Sequence, residues 1–154
     1  MVRSALCLAR AFPDQRSCKV REVVEAMGVP RTYAPAILTD LVRASLAVSK
    51  AGKDGGYRLA RAPERILVLE VVEAAEGPLR AERCALGEGP CRWDDVCPLH
   101  ETWTHAADAL KEVLARTTLA DLLARDEALE AGTYPVPPDS HRRLTSHPHV
   151  PAVR

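Results

Sequence analysis

Residues 20–33, with the sequence VREVVEAMGVPRTY, decide the fold that this 154-residue chain can adopt. The apolar residues of the first half recur at steps of three and four, which predicts a helix over 20–27. Gly28 follows in the position of the glycine that commonly ends a helix. A further helix is expected directly after Pro30, with Thr32 as its N-cap. Two helices joined by a short glycine turn are typical of the helix-turn-helix motif.

The residues on both sides of this motif indicate a small winged domain. A helix is expected over 2–11, and the helix after Pro30 has a predicted buried stripe of Ala36, Ile37, Leu41 and Val42. Two short apolar runs, 46–49 and 57–59, flank a basic, glycine-rich turn at 50–56, a pattern that predicts a β-hairpin. A hairpin directly after a helix-turn-helix is typical of a wing. The predicted fold class is therefore mainly α with a small β-wing, a winged helix-turn-helix domain followed by a long dimerisation helix.

The positions that would meet DNA follow from this arrangement. The second helix of a helix-turn-helix enters the major groove and presents its first turn to the base edges, here Arg31, Thr32 and Tyr33. The wing offers phosphate contacts from three basic side chains, Lys50, Lys53 and Arg58. Two adjacent glycines, Gly55 and Gly56, are expected to allow a close approach of the backbone to DNA. Residues 1–61 hold 11 Lys and Arg against 5 Asp and Glu, whereas the rest of the chain holds 10 against 16. A basic half of this kind favours a polyanionic partner such as double-stranded DNA.

A second motif lies in the middle of the chain, where three cysteines and a histidine are spaced C-x6-C-x5-C-P-L-H. They are Cys84, Cys91, Cys97 and His100, whose thiolate and imidazole groups can bind one metal centre together. Zinc fits such a set, and an iron–sulfur cluster fits it equally well. A thiol switch, which needs only two neighbouring cysteines, ranks behind both. The other two cysteines, Cys7 and Cys18, stand singly among apolar neighbours and are expected to be buried.

Beyond the cysteines the pattern becomes helical again. From Glu101 an amphipathic pattern predicts a long helix, whose apolar residues we expect to form a dimer interface: Trp103, Leu110, Val113 and Leu114. A capping box at 118–121 is expected to open a short helix that ends near Leu123. After Gly132 the chain is rich in Pro, His and Ser, a composition typical of disorder.

Several classes of protein are disfavoured by what the sequence lacks. No apolar run approaches the ~18 residues that a membrane span needs. Clustered cysteines without a secretory segment favour a metal or redox site in the cytoplasm. No nucleophile–base pair, phosphate-binding glycine loop or pair of catalytic carboxylates stands out, which argues against an enzyme.

Several motifs taken together resemble one family of bacterial regulators. They are residues 20–33, GGYRLAR at 55–61, LEVVEA at 69–74 with EGP at 76–78, the three cysteines with CPLH at 97–100, Trp103, and TLADL at 118–122. Across residues 1–125 the chain is similar to the IscR/NsrR-like winged-helix regulators, the Rrf-two family.

The resemblance implies a specific function and ligand set. It implies a homodimer on a palindromic operator, carrying a 2Fe–2S or 4Fe–4S cluster and sensing iron–sulfur status, nitric oxide or redox state. The implied ligands are Cys84, Cys91, Cys97 and His100, so the resemblance raises the iron–sulfur cluster above a structural zinc site. The expected organisation is a DNA-binding domain with a linking helix at 1–78, a cluster-binding loop at 79–100, a dimerisation helix at 101–125 and a disordered tail at 126–154.

Overall fold

The computed structural model of the chain describes residues 1–79 and 97–135. The predicted fold class is confirmed, because these residues form six α-helices and one two-stranded antiparallel sheet. In chain order the elements are α1 (Val2–Arg10), α2 (Val20–Met27), α3 (Ala34–Arg43), β1 (Ala47–Lys50), β2 (Gly56–Leu59), a 3-10 turn (Pro63–Arg65), α4 (Val68–Glu76), α5 (His100–Arg116) and α6 (Leu119–Glu130).

The core is built mainly from aliphatic side chains, in keeping with the low aromatic content of 4%. Helix α1 lies at its centre and packs against α2, α3, α4, β2 and α6. The largest fully buried aliphatic side chains come from the winged domain, from α4 and its approach, and from the start of α6, and none comes from α5: Leu8, Val23, Leu38, Leu41, Leu46, Leu59, Ile66, Val71 and Leu119. Burying a side chain of this size stabilises the fold by about 1.5–3 kcal/mol. Leu119 lies beyond the cysteine segment, so the chain returns to the N-terminal core after α5.

The start of α3 differs from the prediction. The helix begins at Ala34 rather than directly after Thr32, and the structure shows no side-chain capping bond at this start. The carbonyl oxygen of Pro30 accepts hydrogen bonds from the backbone N–H groups of Tyr33 and Ala34, at 3.0 and 3.1 Å. A separate turn therefore precedes the helix. The buried stripe shifts with it to Ala34, Leu38 and Leu41, whereas Ala36, which we expected to be buried, is exposed.

A short backbone bridge joins the linking helix to the junction between α5 and α6. The N–H of Val68 donates to the carbonyl of Thr117, and the N–H of Leu119 donates to the carbonyl of Ile66, both at 2.8 Å. Residues 66 and 67 are consequently extended. The apolar pattern predicts a helix over 66–75, whereas α4 begins at Val68. The bridge places the starts of α4 and α6 side by side.

Helix α6 is longer than predicted. It continues past Leu123 to Glu130, into the range 126–154 that we expected to be a disordered tail. Arg10 of α1 pairs with Asp126 at 2.7 Å and with Glu130 at 2.6 Å, which holds the added turns against α1. The rest of that tail, from residue 136, lies outside the described residues.

The capping box that opens α6 is confirmed and gives a test of the fold. The Thr118 hydroxyl accepts a hydrogen bond from the Asp121 N–H at 3.1 Å, and the Asp121 carboxylate accepts one from the Thr118 N–H at 2.8 Å. Because Thr118→Ala removes the first bond, we expect it to lower the free energy of unfolding by about 1 kcal/mol. Thermal unfolding followed by circular dichroism measures the change.

Thr32→Ala is the matched control, since Thr32 is exposed and α3 starts without a side-chain cap. We expect its stability to stay within about 0.5 kcal/mol of the parent. Equal destabilisation by the two substitutions would show that the cap at Thr118 does not stabilise α6.

Candidate nucleic-acid interface and metal site

The helix-turn-helix is formed by α2, the turn after Gly28, and α3. Gly28 has φ +59°, a left-handed conformation that a glycine adopts without strain, and it ends α2 as predicted. Val29, in this turn, is buried. This arrangement holds α3 at a fixed angle to α2, as a recognition helix requires.

Three residues predicted to meet base edges lie in the turn that leads into α3. Arg31, Thr32 and Tyr33 are all exposed, and the Tyr33 residue keeps 65% of its surface accessible. A large aromatic residue this exposed is unusual in a small domain, and together with Arg31 it leaves a planar group and a cation free for a partner.

The hairpin pairs in the register Ala47↔Leu59 to Lys50↔Gly56, which confirms the predicted wing geometry. Lys50 and Lys53 are exposed near its tip. Arg58 is also exposed, but its guanidinium donates to the side-chain oxygen of Gln15 at 3.2 Å, so it points back toward the domain.

Close contacts within the protein itself explain why the wing has glycine at positions 55 and 56. A Cβ on Gly55 would collide with the carbonyl oxygen of Lys50, and a Cβ on Gly56 would lie 2.6 Å from the carbonyl oxygen of Cys18. We predicted that these glycines let DNA approach closely. The close approach that the structure shows is to the protein's own backbone.

Cys18 connects the wing to the segment that leads into α2. It exchanges two backbone hydrogen bonds of 2.8 Å with Tyr57 of β2. Tyr57 is half-buried and packs against the core at the base of the hairpin. The wing also packs against α3 and α1, and the bonds from Cys18 add a direct link to the start of α2.

Three further basic residues, which no sequence motif predicted, lie near the wing. Arg16, Lys19 and Arg21, at the start of α2, line a shallow cleft whose opposite wall is formed by the wing residues Lys53, Asp54 and Gly55. Only the charge excess of residues 1–61 indicated them. They extend the cationic surface from the wing tip toward α2.

An acidic residue shapes this cleft. Glu22 accepts hydrogen bonds from the backbone N–H of Lys19 and from the guanidinium of Arg16, the latter at 2.7 Å. Burial alone would raise the pKa of Glu22, but these two partners lower it below its ordinary value. The carboxylate therefore stays ionised and neutralises part of the charge of Arg16.

Two of the four predicted metal ligands lie in the described chain. Cys97 is a free, half-buried thiol, and His100 is the exposed first residue of α5. The N–H of His100 donates to the carbonyl of Cys97 at 2.9 Å, so the two residues share the turn that opens the helix. Cys84 and Cys91 lie outside the described residues.

The donor set is what supports a metal group here. Over residues 1–79 and 97–135, no three His, Cys, Asp or Glu side chains come together as a metal site. A centre at Cys97 and His100 would draw further ligands from outside these ranges, where the predicted ligands Cys84 and Cys91 lie. Three thiolates and one imidazole fit both an iron–sulfur cluster and zinc.

Both flanks of the cysteine segment are anchored. On one side, the N–H of Leu79 donates to the carboxylate of Glu73 in α4 at 3.1 Å. On the other side, Cys97 leads directly into α5, which packs along α4. The segment that carries Cys84 and Cys91 thus starts and ends at two neighbouring helices.

The predicted dimer residues are only partly covered within one chain. Leu110 and Val113 of α5 are 53% and 63% exposed, and Trp103 and Leu114 are half-buried. Large apolar residues on one helix face remain accessible.

Residues 1–125 match the family described as Rrf2, iron-dependent transcriptional regulator. The chain belongs to the Rrf2 family. Its members are transcriptional regulators, which confirms the predicted class of DNA-binding regulator rather than enzyme.

Individual relatives agree with this placement. The chain is 31% identical over 109 residues to the HTH-type transcriptional regulator IscR of Cronobacter sakazakii. The aligned part covers 71% of this chain and 67% of that protein. Across the curated relatives that it matches, the aligned part spans 64%, 67% and 66% of their length.

Two solved structures share the fold of this Rrf2 protein. The structure of IscR from T. potens gives a TM-score of 0.66 at 27% identity, covering 88% of this chain and 87% of that one. CymR (YrzC), the global cysteine regulator of B. subtilis, gives 0.65 at 26% identity, covering 79% and 88%. Among the described residues, no helix has the length and apolar character of a membrane span.

Proposed function

We propose that this Rrf2-family regulator acts in the cytoplasm and binds its operator with an affinity controlled by an iron–sulfur cluster. Cys84, Cys91, Cys97 and His100 would hold the cluster. The observation that carries the proposal is the placement of Cys97 and His100 at the first turn of α5, the helix that leads to the bridge at Thr117. When bound, a 2Fe–2S or 4Fe–4S group supplies a centre that reacts with oxidants or nitric oxide.

Operator recognition is assigned to the exposed turn before α3 and to the wing. Arg31, Thr32 and Tyr33 would reach base edges or the adjacent backbone in the major groove. Lys50 and Lys53 would contact phosphates, with Gly55 and Gly56 shaping the wing that carries them. Arg58 would have to release Gln15 to do the same.

A homodimer is assigned to the exposed face of α5. Leu110 and Val113 would be covered by the same residues of a second copy, with Trp103 and Leu114 at their side. An isologous contact of this kind gives a two-fold axis, and a two-fold dimer fits a palindromic operator whose half-sites are one helical turn apart.

The proposed coupling between the cysteine segment and DNA binding passes through the backbone hydrogen bonds at the end of α5. Ligation of Cys97 and His100 would fix the first turn of α5. Helix α5 ends at the bridge to residues 66–68, and Ile66 is buried in the same core as Leu38 and Leu41 of α3. A shift of α5 would therefore change the spacing of the two DNA-binding domains in the dimer.

The alternative is a winged-helix regulator with a structural zinc site or a thiol switch. Zinc is favoured by the same observation as the cluster, because three cysteines and one histidine suit its tetrahedral coordination.

Metal content tests the cluster directly. We expect protein purified without oxygen to be brown and to contain iron and acid-labile sulfide. Cys91→Ala and Cys97→Ala should lose the visible absorbance and most of the iron, because each removes a thiolate ligand. Cys7→Ala is the matched control and should keep both, since Cys7 is buried in α1. Colourless protein with stoichiometric zinc would contradict the cluster and support the alternative.

The oligomeric state tests the face of α5. Val113→Glu would place a carboxylate from each chain at an apolar two-fold contact, where its desolvation costs about 3 kcal/mol or more, roughly a hundredfold in the dimer Kd. Sedimentation velocity should show a monomer at concentrations where the parent is a dimer.

Lys111→Glu is the control on the same helix, at an exposed polar position. It introduces the same side chain outside the apolar stripe and should leave the dimer intact. If Val113→Glu and Lys111→Glu sediment alike, the interface lies elsewhere.

A further inference from the structure

Two cysteines outside the cysteine segment meet in the core. Cys7 belongs to α1 and Cys18 precedes α2, and both are free and buried, with 7% and 0% of their surface exposed. The Cys18 thiol donates to the backbone carbonyl oxygen of Cys7, with the sulfur 3.9 Å from that oxygen. The two cysteines stand apart in the sequence, whereas the fold makes them a pair.

The two sulfurs of this pair differ in their chemistry. The neighbouring Cys7 side chain and the charge of Arg16 lower the pKa of Cys18 against the opposing effect of burial. The neighbouring Cys18 side chain raises the pKa of Cys7, and burial raises it further. Because the thiolate is the reactive form of cysteine, Cys18 is the nucleophile of the pair and Cys7 its proton-bearing neighbour.

Cys18 also helps to position the wing. Both of its backbone groups bond to Tyr57, and its carbonyl oxygen lies where a side chain on Gly56 would be. Cys7 sits within the central helix, but Cys18 lies in the connection between α1 and α2. If the two sulfurs approached each other, the backbone at Cys18 would move more readily than α1.

We propose that Cys7 and Cys18 form an oxidation site, at which a peroxide converts the thiol pair to a disulfide and displaces the wing. The Cys18 thiolate attacks one peroxide oxygen, the O–O bond breaks, and the sulfur becomes a sulfenic acid as one water leaves. The Cys7 sulfur then attacks the Cys18 sulfur, and the hydroxyl leaves as a second water. Two thiols lose two electrons in total, and the peroxide is reduced to two waters.

The geometry connects this step to DNA binding. A disulfide requires a sulfur–sulfur distance of about 2.05 Å, well below the separation of two non-bonded sulfur atoms. The pair is buried, so the oxidant reaches it through local opening, and the reaction is slower than at an exposed thiol. Closing the bond draws Cys18 toward α1 and moves Tyr57 and β2 with it. DNA affinity then falls because the wing no longer lies in line with α3.

The test uses a variant with Cys84, Cys91 and Cys97 replaced by Ala, so that only Cys7 and Cys18 remain. After peroxide treatment, peptide mapping without reductant should recover the peptides of Cys7 and Cys18 joined and lighter by two hydrogens. Hydrogen exchange at residues 56–59 should become faster, and duplex DNA should bind about fivefold more weakly or worse. Dithiothreitol should reverse all three effects.

The matched control adds Cys7→Ala to that variant and should keep its exchange rates and DNA affinity after peroxide. The same mapping on the wild-type chain applies if the variant does not fold. Two free thiols after peroxide would overturn the proposal, as would a disulfide that leaves exchange in the wing unchanged.

The test of this oxidation site does not depend on the proposed cluster, because the variant lacks three of the proposed cluster ligands. Failure of the cluster proposal would appear as absent iron in the wild type. Failure of the oxidation site would appear as an inert thiol pair.

Discussion

Two backbone hydrogen bonds, between Val68 and Thr117 and between Leu119 and Ile66, connect the part of the chain after the cysteines to the part before them. They close a loop of about fifty residues, whose conformational entropy would otherwise oppose a fixed position for α5. Capping carboxylates reinforce the bridge on both sides: Glu70 accepts from the Leu67 N–H and Asp121 from the Thr118 N–H, each at 2.8 Å. Leu119, fully buried next to the bridge, adds its apolar contact.

We propose two inputs to the DNA-binding domain. One would pass through this bridge from α5, which begins at His100, three residues after Cys97, and ends at Arg116. The other would come from Cys18, whose backbone pairs with Tyr57 of the wing. Helix α1 lies at the centre of the core, where its buried face carries Leu8 and Cys7 and its last residue, Arg10, pairs with α6. Closely packed cores respond to such inputs by shifting whole elements, because they have little free volume.

The sequence predicted what local chemistry determines. Helix α2 and its end at Gly28, the hairpin around the glycine-rich turn, and the capping box at Thr118 each depend on residues a few positions apart. The predicted start of α3 was wrong, because the carbonyl of Pro30 accepts hydrogen bonds that form a separate turn before the helix. The apolar pattern predicts that residues 66 and 67 are helical. Backbone hydrogen bonds between this segment and residues 117–119 keep them extended instead. The added length of α6 depends on Arg10, and the meeting of Cys7 with Cys18 depends on the packing of α1; no local pattern contains either contact.

The measurement that tests the account most directly is a DNA titration of wild-type protein, kept free of oxygen, before and after its iron is removed by chelation. The ligand is a duplex selected from a random library by the iron-loaded protein, and fluorescence anisotropy gives the Kd. If the cysteine segment controls operator binding, the Kd should change by about tenfold or more, equivalent to about 1.4 kcal/mol. An unchanged Kd in protein that has lost all its iron would contradict the account.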